Sequence, residues 1–521
     1  MHLRPCFDFP RAQRDGHRRH FIFRAAPGEA EGSRSSRSHF FAGPKRIARR
    51  SAFLLLLLTC DAARAENWPA WRGPNGTGVS TDSAFPLKWD EKQNLRWRVT
   101  LPDRGNSTPI VWDNRVFITQ SIEKEQRRTL MCFARESGRL MWQSGVTYAV
   151  KEPTNAQNPY CSASPVTNGK DVIAYFGSAG LFCYDFDGRE VWHRDLGKVD
   201  SWQGSGSSPV IYQDLCFLNA GPGTNAALVA CKVKDGEVVW KATPPKDAGR
   251  PEPGRPATKP AIIPADSADD PPDAAKAKSS TDAPDTAPGK SGFDNAMMSA
   301  DPSGAGGFLG SWSTPVIEHV ADHDELIVVH ALRVVGYDPR SGKELWSCGG
   351  LPQQAFASPA IGDGCLVATG HILAGGGTRI TAVKLGGAAG DVTATHRLWQ
   401  TDLRKECVGS PVIAGGNVYL VTQFGSAVCL DLTTGKKRWE KRLTGQGSLS
   451  GSWSSILLAD GKLLAPNQAG EVFILKASPE FELLATNLAV EEPTCASLAI
   501  SEGQIFLRTY KSLWCFGKSR E

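Results

Sequence analysis

Short runs of strand-forming residues, such as Asn417–Val421, recur along most of the chain, and many are followed by a tight turn and a tryptophan. In the turn, Asp, Ser or Thr precedes Gly, and Trp stands four residues after that Gly. The complete unit ends at Trp142, Trp192, Trp240, Trp346 and Trp439, a looser copy ends at Trp399, and Trp97 lacks the turn. The chain is therefore built from a repeated β-hairpin.

The repeated unit has a structural explanation. Gly adopts the positive φ that a tight hairpin turn requires. The Trp on the following strand has a large apolar face that can pack against the neighbouring sheet. We therefore predict that all seven tryptophans are structural residues that dock one sheet onto the next.

A second element lies some 30 residues before each Trp. Ser-Pro or Thr-Pro starts a strand at Pro109, Pro165, Pro209, Pro315, Pro359 and Pro411, and Ile456 and Leu498 stand in for Pro in two further copies. Because Pro has no N–H to donate, it fits the first residue of a strand at a sheet edge. The pattern predicts the innermost strand of a propeller blade.

The spacing of the tryptophans gives the number of blades. Successive positions are 40 to 53 residues apart, apart from an interval of 106 between Trp240 and Trp346, and Leu484 continues the series. This spacing is typical of four strands per blade. We predict an all-β fold over residues 92–519, an eight-bladed β-propeller of four-stranded blades, with the N-terminal strand at Trp97 completing the last blade and removing the open sheet edges.

The long interval contains residues 243–291, which are rich in Pro, Ala, Asp, Lys and Ser. Such a composition buries too little apolar surface to offset the entropy of ordering. We predict a disordered insertion within the propeller, with a functional tether as the alternative.

Residues 1–65 have the pattern of a leader. A basic stretch at 45–50 precedes the apolar run Ala52–Leu58 and the small-residue site Ala63–Ala65, which is typical of a secretory signal peptide. The apolar run is too short to span a bilayer. We predict cleavage after Ala65 and a periplasmic or secreted protein without a transmembrane segment in its mature chain; a lipoprotein anchored at Cys60 is the alternative.

The leader also accounts for the basic character of the chain. The net charge is +5, but residues 1–65 carry 13 Lys and Arg residues against five Asp and Glu residues. The remaining chain is net negative, so the sequence gives little support to nucleic-acid binding.

Together, the Gly-x-x-x-Trp turns, the Ser-Pro strand starts and the closing strand resemble the tryptophan-docking repeats of PQQ-like, quinoprotein-type β-propellers. The resemblance covers roughly residues 90–519. It implies a family that contains quinoprotein alcohol dehydrogenases and also the non-enzymatic outer-membrane assembly lipoprotein BamB. The segment 66–91, which begins Trp68-Pro-Ala-Trp-Arg-Gly-Pro-Asn-Gly76, is similar to the start of secreted PQQ-like repeat proteins.

The resemblance also implies a cofactor site that this chain does not match. Quinoprotein dehydrogenases hold PQQ beneath a disulfide of adjacent cysteines and beside Ca²⁺, whereas this chain contains no Cys-Cys pair. Its cysteines recur in repeat positions instead: Cys132, Cys183, Cys231 and Cys429 lie five or six residues before the turn Gly. We expect them to be small buried strand residues. No catalytic or metal-binding residue is predicted, and PQQ with Ca²⁺ is kept as the alternative to a chain without a cofactor.

Residues three positions before each blade Pro are expected to surround the mouth of the channel. The candidates for contact with a ligand are Asn106, Trp312, Phe356 and Trp453, and Ser162, Gly206 and Val408 occupy equivalent positions. The two tryptophans have matching surroundings, Gly-Ser-Trp-Ser. They either stack on a ligand or fill a wide channel by packing; we favour packing.

These observations favour a non-catalytic binding or scaffold propeller outside the cytoplasm. Its partner would be a protein or a component of the cell envelope, held through the loop faces, and we expect the protein to be a monomer. The alternative is a PQQ-dependent, quinoprotein-like oxidoreductase with a divergent site.

Overall fold

The structure is a computed structural model that describes residues 66–243, 310–373, 376–449 and 451–518. In these ranges the chain is almost entirely β-strand, and helical geometry is confined to two 3₁₀ turns, Glu123–Glu125 and Gly177–Ala179. None of the described helical turns has the length and hydropathy needed to cross a membrane. The predicted leader, and the predicted insertion beyond residue 243, lie outside the described residues.

Eight antiparallel sheets follow one another along the chain, and each contributes four strands, which we letter A to D from the channel outward. Blade 1 consists of Ile110–Trp112, Arg115–Ile122, Arg127–Ala134 and Leu140–Thr147; blade 2 of Val166–Thr167, Asp171–Tyr175, Leu181–Asp185 and Glu190–Arg194; blade 3 of Val210–Tyr212, Leu215–Ala220, Ala227–Lys232 and Val238–Ala242; and blade 4 of Val316–Val320, His323–His330, Arg333–Tyr337 and Glu344–Gly349.

The second half of the chain repeats this arrangement. Blade 5 consists of Ala360–Gly362, Cys365–His371, Thr378–Lys384 and Arg397–Leu403; blade 6 of Val412–Ala414, Asn417–Val421, Ser426–Asp431 and Lys437–Arg442; blade 7 of Leu457–Ala459, Lys462–Pro466, Val472–Lys476 and Leu483–Asn487; and blade 8 of Ala499–Ser501, Gln504–Arg508, Ser512–Gly517 and Leu95–Thr100. Short additional strands are Val79–Ser80 on blade 7, Gly310–Ser311 and Gln354–Ala355 on blade 5, and Gly390–Asp391 on blade 4.

The ring closes with a strand from the start of the propeller. Leu95–Thr100 pairs antiparallel with Ser512–Gly517 and so forms strand D of blade 8. The eight-bladed propeller and its closure by the N-terminal strand, both predicted from the repeats, are confirmed. Because the ring is closed, every blade has a neighbouring blade on both sides. This arrangement protects the sheets from pairing with other chains.

Apolar side chains fill the spaces between successive blades. Between blades 1 and 2, for example, Phe117 and Leu130 are buried together with Val172 and Phe182. Comparable clusters lie between the blades that follow, and the cluster at the closure joins blades 7, 8 and 1. Burial of one such large side chain is worth about 1.5–3 kcal/mol, so the contacts between blades are a main source of stability.

A bulge in each blade turns the tryptophan towards the next blade. The pairing of strands C and D shifts register at the same place in all eight sheets, and such a bulge increases the local twist. The ring of Trp97 then lies on Gly138 of blade 1, and its indole N–H donates to the Arg135 carbonyl at 2.6 Å. Equivalent indole bonds run from Trp142 to Phe186, Trp192 to Val233, Trp240 to Pro339, Trp399 to Leu432 and Trp439 to Ser478.

The turn glycine has a second role in this contact. A Cβ atom added at Gly138, Gly188, Gly236, Gly342 or Gly435 would lie 2.5–2.7 Å from the docked indole ring. Each of these glycines also has a φ between 69° and 82°. Gly is therefore required both by the turn and by the close approach of the Trp from the preceding blade.

Trp346 differs from the other six tryptophans. Its indole N–H donates to Glu325 Oε2 at 2.7 Å, inside its own blade. The residue paired with it on strand C is Gly336, where the other blades with this Trp carry Cys or Ala, and the indole lies over that glycine. The interblade indole bond of the other six tryptophans is therefore replaced at Trp346 by one within blade 4, because Gly336 leaves room for the ring.

The repeat position of the Trp is occupied by a small residue in blade 7. The structure places Ala485 there, opposite Ile474 at the bulge, and not Leu484, which the spacing had suggested. The strand-C cysteines follow the same register: Cys132, Cys183 and Cys429 lie directly opposite a Trp. Cys231 is displaced by one residue and lies opposite Val238 and Cys216 instead.

A closed ring of eight hydrogen bonds surrounds the channel. The residue before each blade Pro, or before its replacement, is Ser or Thr, and its backbone N–H donates to the side-chain hydroxyl of the equivalent residue in the next blade. The series runs from Thr108 through Ser164, Ser208, Thr314, Ser358, Ser410, Ser455 and Ser497 back to Thr108, with distances of 2.8–3.0 Å. We call these eight residues the hydroxyl ring.

Trp192→Ala is expected to lower the free energy of unfolding by about 3–5 kcal/mol, since it empties a buried site between blades 2 and 3. The measurement is urea denaturation. Val191→Ala, at a neighbouring side chain that is 48% exposed, is the control and is expected to change stability by no more than about 0.5 kcal/mol. Equal effects of the two variants would contradict the docking role.

Ser208→Ala is expected to cost about 1–3 kcal/mol, because the buried N–H of Ser164 loses its acceptor. Ser208→Thr keeps the hydroxyl, and Thr108 and Thr314 show that the ring accommodates Thr, so this variant is expected to retain most of the stability. Denaturation of the three proteins in parallel tests the ring; a Thr variant as unstable as the Ala variant would speak against it.

Candidate functional site: the channel mouth

One end of the channel is covered by the lead-in segment, residues 66–91. Trp68 exchanges two backbone hydrogen bonds with Val111 on blade 1, and the Thr167 N–H of blade 2 donates to the Pro69 carbonyl. Further along, Gly78 accepts from the Leu458 N–H of blade 7. Because the segment contacts the innermost strands on both sides of the ring, it crosses the channel at the end where strands A and B are joined.

Arg72 fixes the lead-in segment in the middle of this crossing. The residue is only 3% exposed, and its guanidinium group donates to the carbonyls of Ser410, at 3.2 Å, and Pro411, at 2.6 Å, on blade 6. It also donates to the carbonyls of Gly76 and Thr77 in its own segment. Burial lowers the pKa of Arg72 to about 9.

The other end of the channel opens into a cavity of about 140 Å³, which we call the mouth pocket. All eight residues that lie three positions before a blade Pro, or its replacement, line it: Asn106, Ser162, Gly206, Trp312, Phe356, Val408, Trp453 and Cys495. Sequence reasoning named seven of them and omitted Cys495 in the degenerate last blade. Six members of the hydroxyl ring lie in the same wall, and Trp71 of the lead-in segment lies at the closed end.

The aromatic residues of the mouth differ in how firmly they are held. Trp312 is 8% exposed, its indole N–H donates to the Gly204 carbonyl at 2.9 Å, and its ring lies 4.9 Å from that of Phe356. Trp453 is half-buried and, among the described residues, takes part in no hydrogen bond or aromatic contact. Trp312 therefore packs within the wall, whereas Trp453 presents an unengaged ring to the pocket.

A group of side-chain amides faces these rings and was missed by sequence reasoning. Asn155, Gln157 and Asn158 come from the loop before blade 2, and Gln203 comes from the loop before blade 3. The Asn106 amide donates to the Gln157 carbonyl at 2.6 Å, while its own Oδ1 is buried without a partner. These loops lie outside the repeat, so no periodic signal marks them.

A buried arginine supports this side of the mouth. Arg508 of blade 8 is fully buried and donates to the Thr119 carbonyl and to Gln120 Oε1, both at 2.7 Å, on blade 1. A Cβ atom on Gly105 would lie 2.0 Å from its guanidinium group. Gly105 is therefore required where it is, and its neighbour Asn106 is held against the pocket.

Among the described residues, the lining of the mouth pocket is uncharged. It contains no Asp, Glu, His, Lys or Arg. Its one readily titratable side chain is the thiol of Cys495, whose pKa is raised by burial. His371 lies behind the wall, 5.7 Å from the Phe356 ring and 3.7 Å from Glu406, and burial lowers its pKa.

Comparison with known proteins agrees with this architecture. A family model described as outer membrane protein assembly factor BamB matches residues 126–262 and 330–513, which is more than half of the chain. The chain belongs to the PQQ-like β-propeller repeat family. This membership, expected from the repeats, is thereby confirmed.

Individual PQQ-like relatives are distant. The quinohemoprotein alcohol dehydrogenase of Comamonas testosteroni has 13% identity and a TM-score of 0.55, covering 88% of this chain and 82% of its own. BamB of Moraxella catarrhalis has 11% identity and a TM-score of 0.49, with coverage of 82% and 98%. The serine/threonine-protein kinase AfsK of Streptomyces griseus is 31% identical over 140 residues, which span 25% of this chain but only 16% of the kinase.

The mouth pocket does not match the chemistry of PQQ, the group that the family name implies. PQQ is a planar tricarboxylate, and the part of the lining that the structure describes offers it no cationic side chain. Across the described ranges, no three or more His, Cys, Asp or Glu side chains are grouped so that they could hold a metal ion such as Ca²⁺. The donor set of this PQQ-like propeller therefore fits a neutral ligand better than an anionic one.

Arg72→Ala is expected to loosen the lead-in segment, because four carbonyl groups lose their donor. Hydrogen exchange measured by mass spectrometry should be faster at residues 66–80, and the melting temperature should fall. Arg72→Lys keeps a charge but cannot reproduce the several directed bonds, so an intermediate effect is expected. Lys88→Ala, at an exposed side chain of the same segment, is the control; unchanged exchange in the Arg72 variants would contradict the assignment.

Proposed function

We propose that this PQQ-like propeller is a non-catalytic binding protein of the cell envelope or exterior, and that its ligand site is the mouth pocket. The leader-like pattern at residues 45–65 supports export. The family match to BamB supports a role at the envelope through contacts with other molecules. The partner is accordingly a protein or another envelope component.

The observation that carries the proposal is the mouth pocket, whose described lining is uncharged and which the lead-in segment covers at one end. The lead-in segment blocks passage through the ring, so a ligand can enter from one side only. General acid–base catalysis needs titratable groups close to the reacting atoms, and among the described lining residues the readily titratable group is the partly buried thiol of Cys495. Aromatic rings combined with neutral polar groups are typical of a site that recognises and holds its ligand.

The alternative is a PQQ-dependent oxidoreductase with a divergent site. The similarity to the Comamonas testosteroni enzyme concerns the fold, since identity is only 13%. Reconstitution with PQQ and Ca²⁺, followed by cofactor absorbance and dye-linked alcohol oxidation, distinguishes the two functions. We expect neither a bound-cofactor spectrum nor alcohol oxidation; turnover that depends on PQQ would overturn the binding proposal.

A capture experiment tests the site itself. The immobilised protein, Trp453→Ala and Phe424→Ala are incubated with envelope fractions of the producing cells. Phe424, in the B–C turn of blade 6, is 53% exposed and does not line the pocket, so it is a matched aromatic control. Material should be retained by the unmodified protein and by Phe424→Ala and lost with Trp453→Ala. Retention by all three would show that the pocket is not the binding site.

A further inference from the structure

In the aromatic part of the mouth pocket, the ring of Trp453 is available for stacking with a ligand. The half-buried Trp453 ring, at the pocket wall, has no aromatic or hydrogen-bonding contact within the described chain. Trp312 shows the contrasting case, since its indole N–H and ring are both engaged. An apolar face held at the wall of a water-accessible pocket is suited to a ligand with a flat surface of C–H groups.

In the polar part of the mouth pocket, uncharged side-chain amides are available for hydrogen bonds with a ligand. In the described structure, the side-chain amides of Gln157 and Gln203 form no hydrogen bond, and Asn106 Oδ1 is buried without a donor. An amide offers one acceptor and two donors. The side-chain amides of Gln157 and Gln203 can therefore donate to and accept from a ligand, whereas the buried Asn106 Oδ1 is out of a ligand's reach.

The hydroxyl ring adds donors at the base of the same pocket. Ser164, Ser208 and Ser497 each accept a backbone N–H from the preceding blade with the side-chain oxygen. A hydroxyl that accepts one bond still has its own proton to donate, and no described contact uses these protons. The pocket therefore combines donors and acceptors without any charge.

We propose that the mouth pocket binds a neutral carbohydrate, an inference that rests on the binding function proposed above. A pyranose ring has a C–H face that can stack on Trp453, and its hydroxyl groups match the amides of Gln157 and Gln203 and the hydroxyl ring. The lining residues that the structure describes carry no charge, so they give no counter-charge to a uronate or sulfated sugar.

An extended peptide fits the same wall less well. A peptide that adds to a sheet edge needs unpaired backbone N–H groups. At the innermost strands, the N–H groups of the hydroxyl ring already donate to the next blade, as for Ser358 to Ser410 at 3.0 Å. The residue that follows is Pro in six blades and has no N–H. The wall thus presents side-chain groups rather than a free backbone edge.

Titration calorimetry with cellohexaose, maltohexaose and chitohexaose, and with hexagalacturonate as the anionic comparison, tests the inference. At least one neutral hexasaccharide should bind, and hexagalacturonate should not. Trp453→Ala should weaken binding about tenfold, and the double variant Gln157→Ala/Gln203→Ala should do the same, while Phe424→Ala leaves binding unchanged. Melting temperatures of all variants verify that they are folded.

Two results would overturn the carbohydrate assignment: no neutral hexasaccharide binds, or binding is the same in the pocket variants and the unmodified protein. If a protein from the envelope fraction is nevertheless captured in a manner that depends on Trp453, the proposed binding function stands and its ligand is a polypeptide. If capture is also independent of Trp453, both proposals fail.

Discussion

The hydroxyl ring is the constraint on which the channel depends. Each of its hydrogen bonds joins one blade to the next, and the bond from Ser497 to Thr108 joins the last blade to the first. Because these N–H groups lie on the inner strands and are buried, each would be costly without an acceptor. The following Pro adds no N–H and restricts the preceding residue to extended geometry. Ser-Pro and Thr-Pro thus leave no unpaired N–H at the start of the inner strand, and they connect each blade to its neighbour.

Farther from the channel, a second interaction also joins one blade to the next, namely the docking of the Trp indole. The indole of each docked Trp reaches the turn of the next blade, as Trp192 reaches Gly236. The inner hydroxyl bond and the outer indole bond therefore fix six of the eight interfaces at two radii, with the apolar cluster between them; blade 7, which has Ala485 in place of Trp, lacks the outer bond. Trp346 departs from this scheme, yet its interface is closed by the longer connection of blade 5, whose Gly390–Asp391 strand pairs with strand D of blade 4.

Much of the fold could be predicted from the sequence, because the features that specify it recur in every blade. Seven tryptophans and eight strand starts gave the blade number and the closing strand. The mouth positions followed from their fixed distance to the Pro. What could not be predicted depends on single contacts outside the repeat. Trp71 is brought beneath the channel only when the lead-in segment folds across it, and the Asn155–Asn158 loop faces the pocket only when blades 1 and 2 are adjacent. The rotation of Trp346 follows from Gly336, a residue ten positions earlier on another strand.

In each blade, the residue that stabilises the ring and the residue that can contact a ligand are only two positions apart in the sequence. At the ring position every blade has Ser or Thr, whose hydroxyl accepts a backbone N–H of the preceding blade; an apolar side chain would leave that N–H without its acceptor. Two residues earlier, the eight equivalent positions carry Asn, Ser, Gly, Trp, Phe, Val, Trp and Cys. These eight side chains lie outside the described apolar clusters between blades, so packing between blades does not dictate their identity, although Trp312 packs against Phe356 within the wall. An eightfold scaffold can thus present an asymmetric pocket, with amides on the side of blades 1 and 2 and aromatic rings on blades 4, 5 and 7. Recognition in this protein is accordingly expected to depend on the loops that depart from the repeat, whereas the repeat itself provides the closed wall on which they are held.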